Sequence, residues 1–178
     1  MTVCVAPAFA AKLIDQLPAL RRYATGLCGD RALADDLVQD GIERALTRSE
    51  TLQQPERIGA WLRSIVHNLY LDELRRRRVR GVGVDVEDMA NDLELSTAAN
   101  DGGPVFDVQR AMLALTVEHR QVLVLAGVEE LSYREISEEL GVPLGTVMSR
   151  LARARAALRD RLDAVPHARP AAVLEQRA

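Results

Sequence analysis

The stretch that most limits what this chain can fold into is LSYREISEELGVPLGTVMSRLARARAALR, Leu131–Arg159, because its signals for starting, stopping and restarting a helix all agree. Ser132 with Glu135 three residues on forms a capping box, and Leu131 with Ile136 can close a hydrophobic staple across it. Tyr133, Ile136 and Leu140 recur at helical spacing, and Gly141 follows as the natural left-handed residue that ends a helix. Val142 and Pro143 make the turn. Beyond it Val147, Leu151, Ala154 and Leu158 step by four, three and four, one stripe of a second helix that can pack on the first. The stretch therefore predicts two helices joined by a tight turn.

The other face of the second helix carries Met148, Ser149, Ala152, Arg153 and Ala156. Between Leu144 and Leu162 stand Arg150, Arg153, Arg155, Arg159 and Arg161 against a single acid, Asp160, in a chain of formal net charge −3. Small side chains permit close approach to a duplex, and guanidinium forks suit phosphates or guanine edges, so this face fits a major groove. The competing reading is an antiparallel helix pair with a solvated basic face.

Length and composition bound the remainder. A chain of 178 residues with 48% hydrophobic but only 3% aromatic residues must build its core from Leu, Val, Ile and Ala. No β-branched alternating run stands out, so an all-α fold is expected. Cys4, Cys28, His67, His119 and His167 show no ligand spacing, so neither a metal site nor a cofactor is expected. No apolar run nears the roughly 18 residues of a membrane helix, and no charged segment followed by an apolar core opens the chain. The expected location is the cytoplasm, with reduced thiols.

In chain order, Ala8–Ile14 reads as a short helix that Pro18 separates from a second, whose face is Leu20, Tyr23, Ala24 and Leu27 and which stops near Gly29. Asp30 can cap a third over Arg31–Leu46, buried through Ala34, Leu37, Val38, Gly41, Ile42 and Ala45. On its outer side Asp36, Asp40 and Glu43 fall at steps of four and three. Such a carboxylate face can bind a metal, meet a basic partner or simply be solvated; no second acidic or His cluster supports the metal. Thr47–Gly59 is polar, holds Pro55 and reads as a loop. Ala60–Arg78 is a strong helix, with Trp61 on its apolar stripe as a core anchor and Asn68 off it. Arg75, Arg76, Arg77, Arg78 and Arg80 exceed what a helix end needs to complement its dipole, which suggests a phosphate backbone nearby, or a solvated basic tail.

Gly81–Gln109 has seven acids and no Lys or Arg, and Asn100 to Pro104 break any helix, marking a domain boundary. Val105–Leu115 and Val117–Gly127, the latter capped by Thr116, are the helices expected to cover the apolar stripe of the helix-turn-helix. The expected division is 1–80 for a first helical domain, 81–104 for an acidic flexible linker, 105–163 for a second domain and 164–178 for a mobile tail.

DRALADDLVQDGIERAL, AWLRSIVHNLYLDELRRRR and EHRQVLVLAGVEELSYREISEELGVPLGTVMSRLARARAALR resemble, in this order, region 2 and region 4 of bacterial extracytoplasmic-function (ECF) sigma factors. DDLVQD, the tryptophan-bearing helix and GTVMSRLARAR are specific in combination though not singly, and within the family the chain looks closest to the alphaproteobacterial general-stress type. The resemblance implies two small all-α domains, no catalysis, and partners in core RNA polymerase, promoter DNA and an anti-sigma factor. It implies that Asp36, Gln39, Asp40 and Glu43 dock on the clamp helices of the largest polymerase subunit. Thr47–Arg57 would capture a flipped minus-10 base, with Asn68, Arg75, Arg76, Arg77 and Arg78 on the non-template strand. Met148, Ser149, Ala152 and Arg153 would read the minus-35 element while Arg150 and Arg155 hold phosphates, although Met148 stands where the family commonly has a basic residue. The helices of 105–128 would help seat region 4 on the polymerase flap. Two rivals remain open at this point: a helix-turn-helix regulator that works without polymerase, and a sigma-like decoy for an anti-sigma factor.

Overall fold

The computed structural model describes residues 7–80 and 104–164, all of whose regular structure is helical. The acidic stretch 81–103 and the tail 165–178 lie outside the described residues, as do Cys4 and His167. Helix α1 spans Pro7–Cys28, α2 Arg31–Thr47 and α3 Ile58–Val79, with two 3-10 turns, Ser49–Thr51 and Pro55–Arg57, between α2 and α3. In the second half α4 spans Pro104–Leu113, α5 Val117–Gly127, α6 Tyr133–Leu140 and α7 Leu144–Asp163.

The expected break at Pro18 is absent, and one helix runs through it. Proline removes one backbone hydrogen bond and crowds the carbonyl four residues back. Pro18 itself is exposed, whereas Leu13 before it and Leu20, Tyr23, Ala24 and Leu27 after it are buried in one core. Burial of each such side chain is worth about 1.5–3 kcal/mol, so the stripe holds the helix across the defect. The loop before Trp61 is also tighter than its polarity suggests: α3 already begins at Ile58, which is buried.

The local signals elsewhere take the expected form. Gly29 has φ +70° and ends α1; Asp30 then caps α2, its Oδ1 accepting from the Leu33 amide at 3.0 Å. The Thr116 hydroxyl accepts from the His119 amide at 3.3 Å. Ser132 and Glu135 form both halves of the capping box, and Gly141 ends α6 with φ +65°.

Helices α1, α2 and α3 pack on one another, α4 to α7 form a second group, and α5 lies against α1. One core cluster runs through both groups, from Leu13 to Ala154. At the crossing Gly26 of α1 leaves room for Val124 of α5, whose Cγ2 would lie 3.0 Å from any Cβ added there.

Candidate nucleic-acid interface

Val147, Leu151 and Ala154 of α7 face inward, which fixes the rotation of that helix. Met148 is 53% exposed, and Ala152, Arg153, Arg155 and Arg159 are exposed beside it. The arginine-bearing face is therefore open. Ser149 is half-buried and donates to the Thr146 carbonyl at 3.0 Å, leaving its oxygen lone pairs available. Arg155 reaches the Tyr133 hydroxyl at 3.3 Å, tying α7 to α6. Arg150 is not free for a phosphate: its side chain turns back toward α5, with Nη2 3.3 Å from Glu118.

The first group presents a different surface. Residues 51–54 and Arg57 from the loop, with Trp61 and Ser64 of α3, line an open cleft of about 350 Å³. Trp61 is half-buried rather than enclosed; Phe9 meets it edge-on at 6.4 Å between ring centroids. Asn68 is exposed further along α3 and lines a second cleft of about 250 Å³ with Arg63, His67, Glu118 and Arg150. The basic end of α3 is partly neutralised on its own helix: Arg75 pairs with Asp72 at 2.7 Å, and Arg76 and Arg77 with Glu73 at 3.7 and 3.0 Å. Such exposed pairs contribute little to stability.

On α2, Asp36, Gln39, Asp40 and Glu43 are all exposed, and among the described residues none of the three carboxylates takes part in an ion pair. Asp35, one position away, is held by Arg21 at 3.5 Å. No His, Cys, Asp and Glu cluster with metal-binding geometry occurs among the described residues.

Between the two groups lies a polar seam. Arg120 of α5 is 2% exposed and donates to the carbonyls of Met112, Leu113 and Leu115 in its own half. It also crosses to the Leu27 carbonyl at 2.6 Å and the Tyr70 hydroxyl at 3.0 Å. Arg63 of α3 binds Glu139 of α6 through two nitrogens, Nε at 2.8 Å and Nη2 at 2.5 Å, and lies 3.7 Å from Glu129. Burial lowers the Arg63 pKa, but Glu139 and Glu129 outweigh it and leave the guanidinium raised. Burial raises Glu129 against the pull of Arg22 and Arg63, and lowers His67 against Glu118.

Comparison with known proteins places this geometry. The Sigma-70 region 2 family model matches residues 13–80, and the Sigma-70 region 4 model residues 106–158. The ECF RNA polymerase sigma factor EcfG of Rhodopseudomonas palustris is 33% identical over 150 residues, 82% of this chain and 80% of that one. The chain belongs to the ECF RNA polymerase sigma factors. It is thus an alternative sigma factor, a component of transcription initiation. SigE of Mycolicibacterium smegmatis is 39% identical over 145 residues, 79% of this sigma factor, which spans 56% of that relative's length. Among solved structures, the sigma factor RpoE from Bartonella quintana, in complex with the anti-sigma factor NepR, superposes with a TM-score of 0.71 at 29% identity, covering 90% of this chain and 99% of that one.

Several residues of the site escaped the sequence reading. Arg63, Glu129, Glu138 and Glu139 look like ordinary surface charges, because nothing local says which will meet across a domain boundary. Arg120 carried a signal: three after Val117 and four before Val124, it falls on a buried stripe, where a charge demands partners.

Proposed function

We propose that this sigma factor binds core RNA polymerase through Asp36, Gln39, Asp40 and Glu43 and reads promoters with two separate surfaces. Met148, Ser149, Ala152 and Arg153 contact minus-35 base edges, with Arg155 on phosphate and Arg150 joining it once released from Glu118. The loop cleft beside Trp61 takes a flipped minus-10 base, while Asn68 and Arg75 to Arg78 follow the single strand; binding the exposed base offsets its unstacking. The chain acts in the cytoplasm without catalysis of its own, as residues 1–80 and 105–163 linked by 81–104 and followed by a tail, 164–178. Likeness to EcfG and to an RpoE crystallised with NepR supports a general-stress role and an anti-sigma partner.

One observation carries the reading: the buried stripe of α7 turns its arginine-rich face outward, on a helix-turn-helix whose first helix is capped at both ends. Run-off transcription with core polymerase on stress-type promoters is the test. Promoter-dependent transcripts are expected; duplex binding without transcripts on any promoter would instead indicate a polymerase-independent regulator.

A further inference from the structure

Two apolar side chains at the start of α7 have no part in the core. Leu144 is 46% and Met148 53% exposed, and neither packs against the buried cluster. Four residues apart, they fall on one side of the helix, about 6 Å from each other along an axis that rises 1.5 Å per residue. That separation is close to two base-pair steps of ~3.4 Å each. Their surroundings are small and cationic: Ala152 is exposed one turn past Met148, Arg153, Arg155 and Arg159 are exposed further along, and Leu144–Arg159 contains no acid. The packing of the chain leaves space at Gly145, where an added Cβ would meet nothing within 4 Å, and the bare backbone there lets a duplex edge come close. Ser149 gives its hydroxyl proton to the Thr146 carbonyl at 3.0 Å, so only acceptor lone pairs are left to face outward.

Resting on the assignment of α7 to the minus-35 duplex, we propose that Met148, with Leu144 beside it, reads thymine 5-methyl groups and so selects A·T pairs within that element. Thymine alone presents an apolar group in the major groove; the other bases show donors and acceptors there. A thioether or a leucine laid over those polar edges strips their water and returns no hydrogen bond, which is costly. Laid over a methyl group, it removes apolar surface from water, which is favourable. A basic side chain at position 148 would fork onto guanine instead, and methionine has no donor with which to do so. Its unbranched chain can follow a methyl group on either strand. The outward acceptor of Ser149 suits the adenine amino group and meets only other acceptors on guanine. A protein partner fits this face less well, because charged residues are depleted at the centre of protein interfaces, whereas arginines flank these two side chains and suit phosphates.

The test uses the full chain, whose α7 face is already open, and a pool of DNA duplexes with a randomised central stretch. The site that the parent enriches is expected to hold A·T pairs. Its thymines are then replaced one at a time by deoxyuridine, which removes the methyl group and nothing else. At one position, or at two lying within two steps of each other, this should weaken binding about threefold, the effect of returning one methyl group to water. Met148→Gln should keep the parent's helical circular dichroism and bind the thymine and uracil duplexes alike at one of these positions. Arg153→Ala should bind more weakly overall and keep the uracil penalty. Uracil duplexes bound by the parent as tightly as thymine duplexes, or a penalty that survives Met148→Gln at every thymine, would overturn the methyl reading and leave α7 as the duplex binder. A pool from which no sequence is enriched would instead overturn the assignment of α7 to the minus-35 element, and the methyl reading with it.

Discussion

His67 sits in α3 with Nδ1 buried and unpartnered, and Glu118 only partly opposes the fall that burial imposes on its pKa. A depressed folded-state pKa means that the unfolded chain binds the proton more readily. The contribution of His67 to stability is then present above about pH 6.5, its unfolded value, and is lost as pH falls through the lower folded value. Glu129 has the opposite sign, its pKa being raised, but it titrates alike in any chain that differs only at position 67. Urea midpoints measured from pH 7.5 to 5 should therefore fall more steeply for the parent than for His67→Gln, and parallel curves would remove His67 as the cause. At the same scale, Arg153→Ala should weaken minus-35 duplex binding by about 1–3 kcal/mol if the guanidinium reads a base. Fluorescence anisotropy at moderate salt checks this, and an unchanged affinity counts against base reading.

The helices owe their boundaries to short-range chemistry. In the capping box Glu135 accepts from the Ser132 amide at 2.8 Å, and hydrogen bonds from the Ser132 hydroxyl and amide lower the Glu135 pKa. Ser132→Ala should cost about 0.5–2 kcal/mol, visible as a lower thermal midpoint, with no change in the outward rotation of α7. Helix α2 offers the complementary case, since its Asp36, Asp40 and Glu43 form no ion pair among the described residues. Asp40→Arg should weaken binding to core polymerase while leaving duplex binding and the urea midpoint alone. Equal polymerase affinity for variant and parent would take the docking role away from this face. Nothing within α2 distinguishes a docking surface from a solvated one, and only the missing ion pairs across its outer side set it apart from the paired Asp35.

At the scale of the whole molecule, one core is shared by both groups and Arg120 bridges them, so the two halves are expected to unfold together. Trp61, the one tryptophan, stands on α3 of the first group. In the parent, its fluorescence and the helical circular dichroism should unfold in a single coincident transition. Arg120→Met orphans buried carbonyls at about 1–3 kcal/mol each, so it should lower the midpoint and separate the Trp61 transition from the loss of helix. Coincident transitions in that variant would mean that Arg120 is not what couples the halves.

Caps, stripes and glycine stops made α2, α5, α6 and α7 legible in the amino-acid order, because each depends on residues within a turn or two of one another. The outward face of α7 followed from the same periodicity, since burying Val147, Leu151 and Ala154 leaves Met148, Ala152 and Arg153 nowhere else to point. Continuity of α1 through Pro18 was not legible, because local backbone chemistry argues for a break and only packing on α2, α3 and α5 overrides it. Nor was the seam. The residues of the Arg63–Glu139 and Arg120–Tyr70 contacts lie 76 and 50 positions apart in the chain, and a charge pair at that separation has no periodicity to announce it. Which cations meet DNA and which meet the chain's own carboxylates is decided by how the two halves come together.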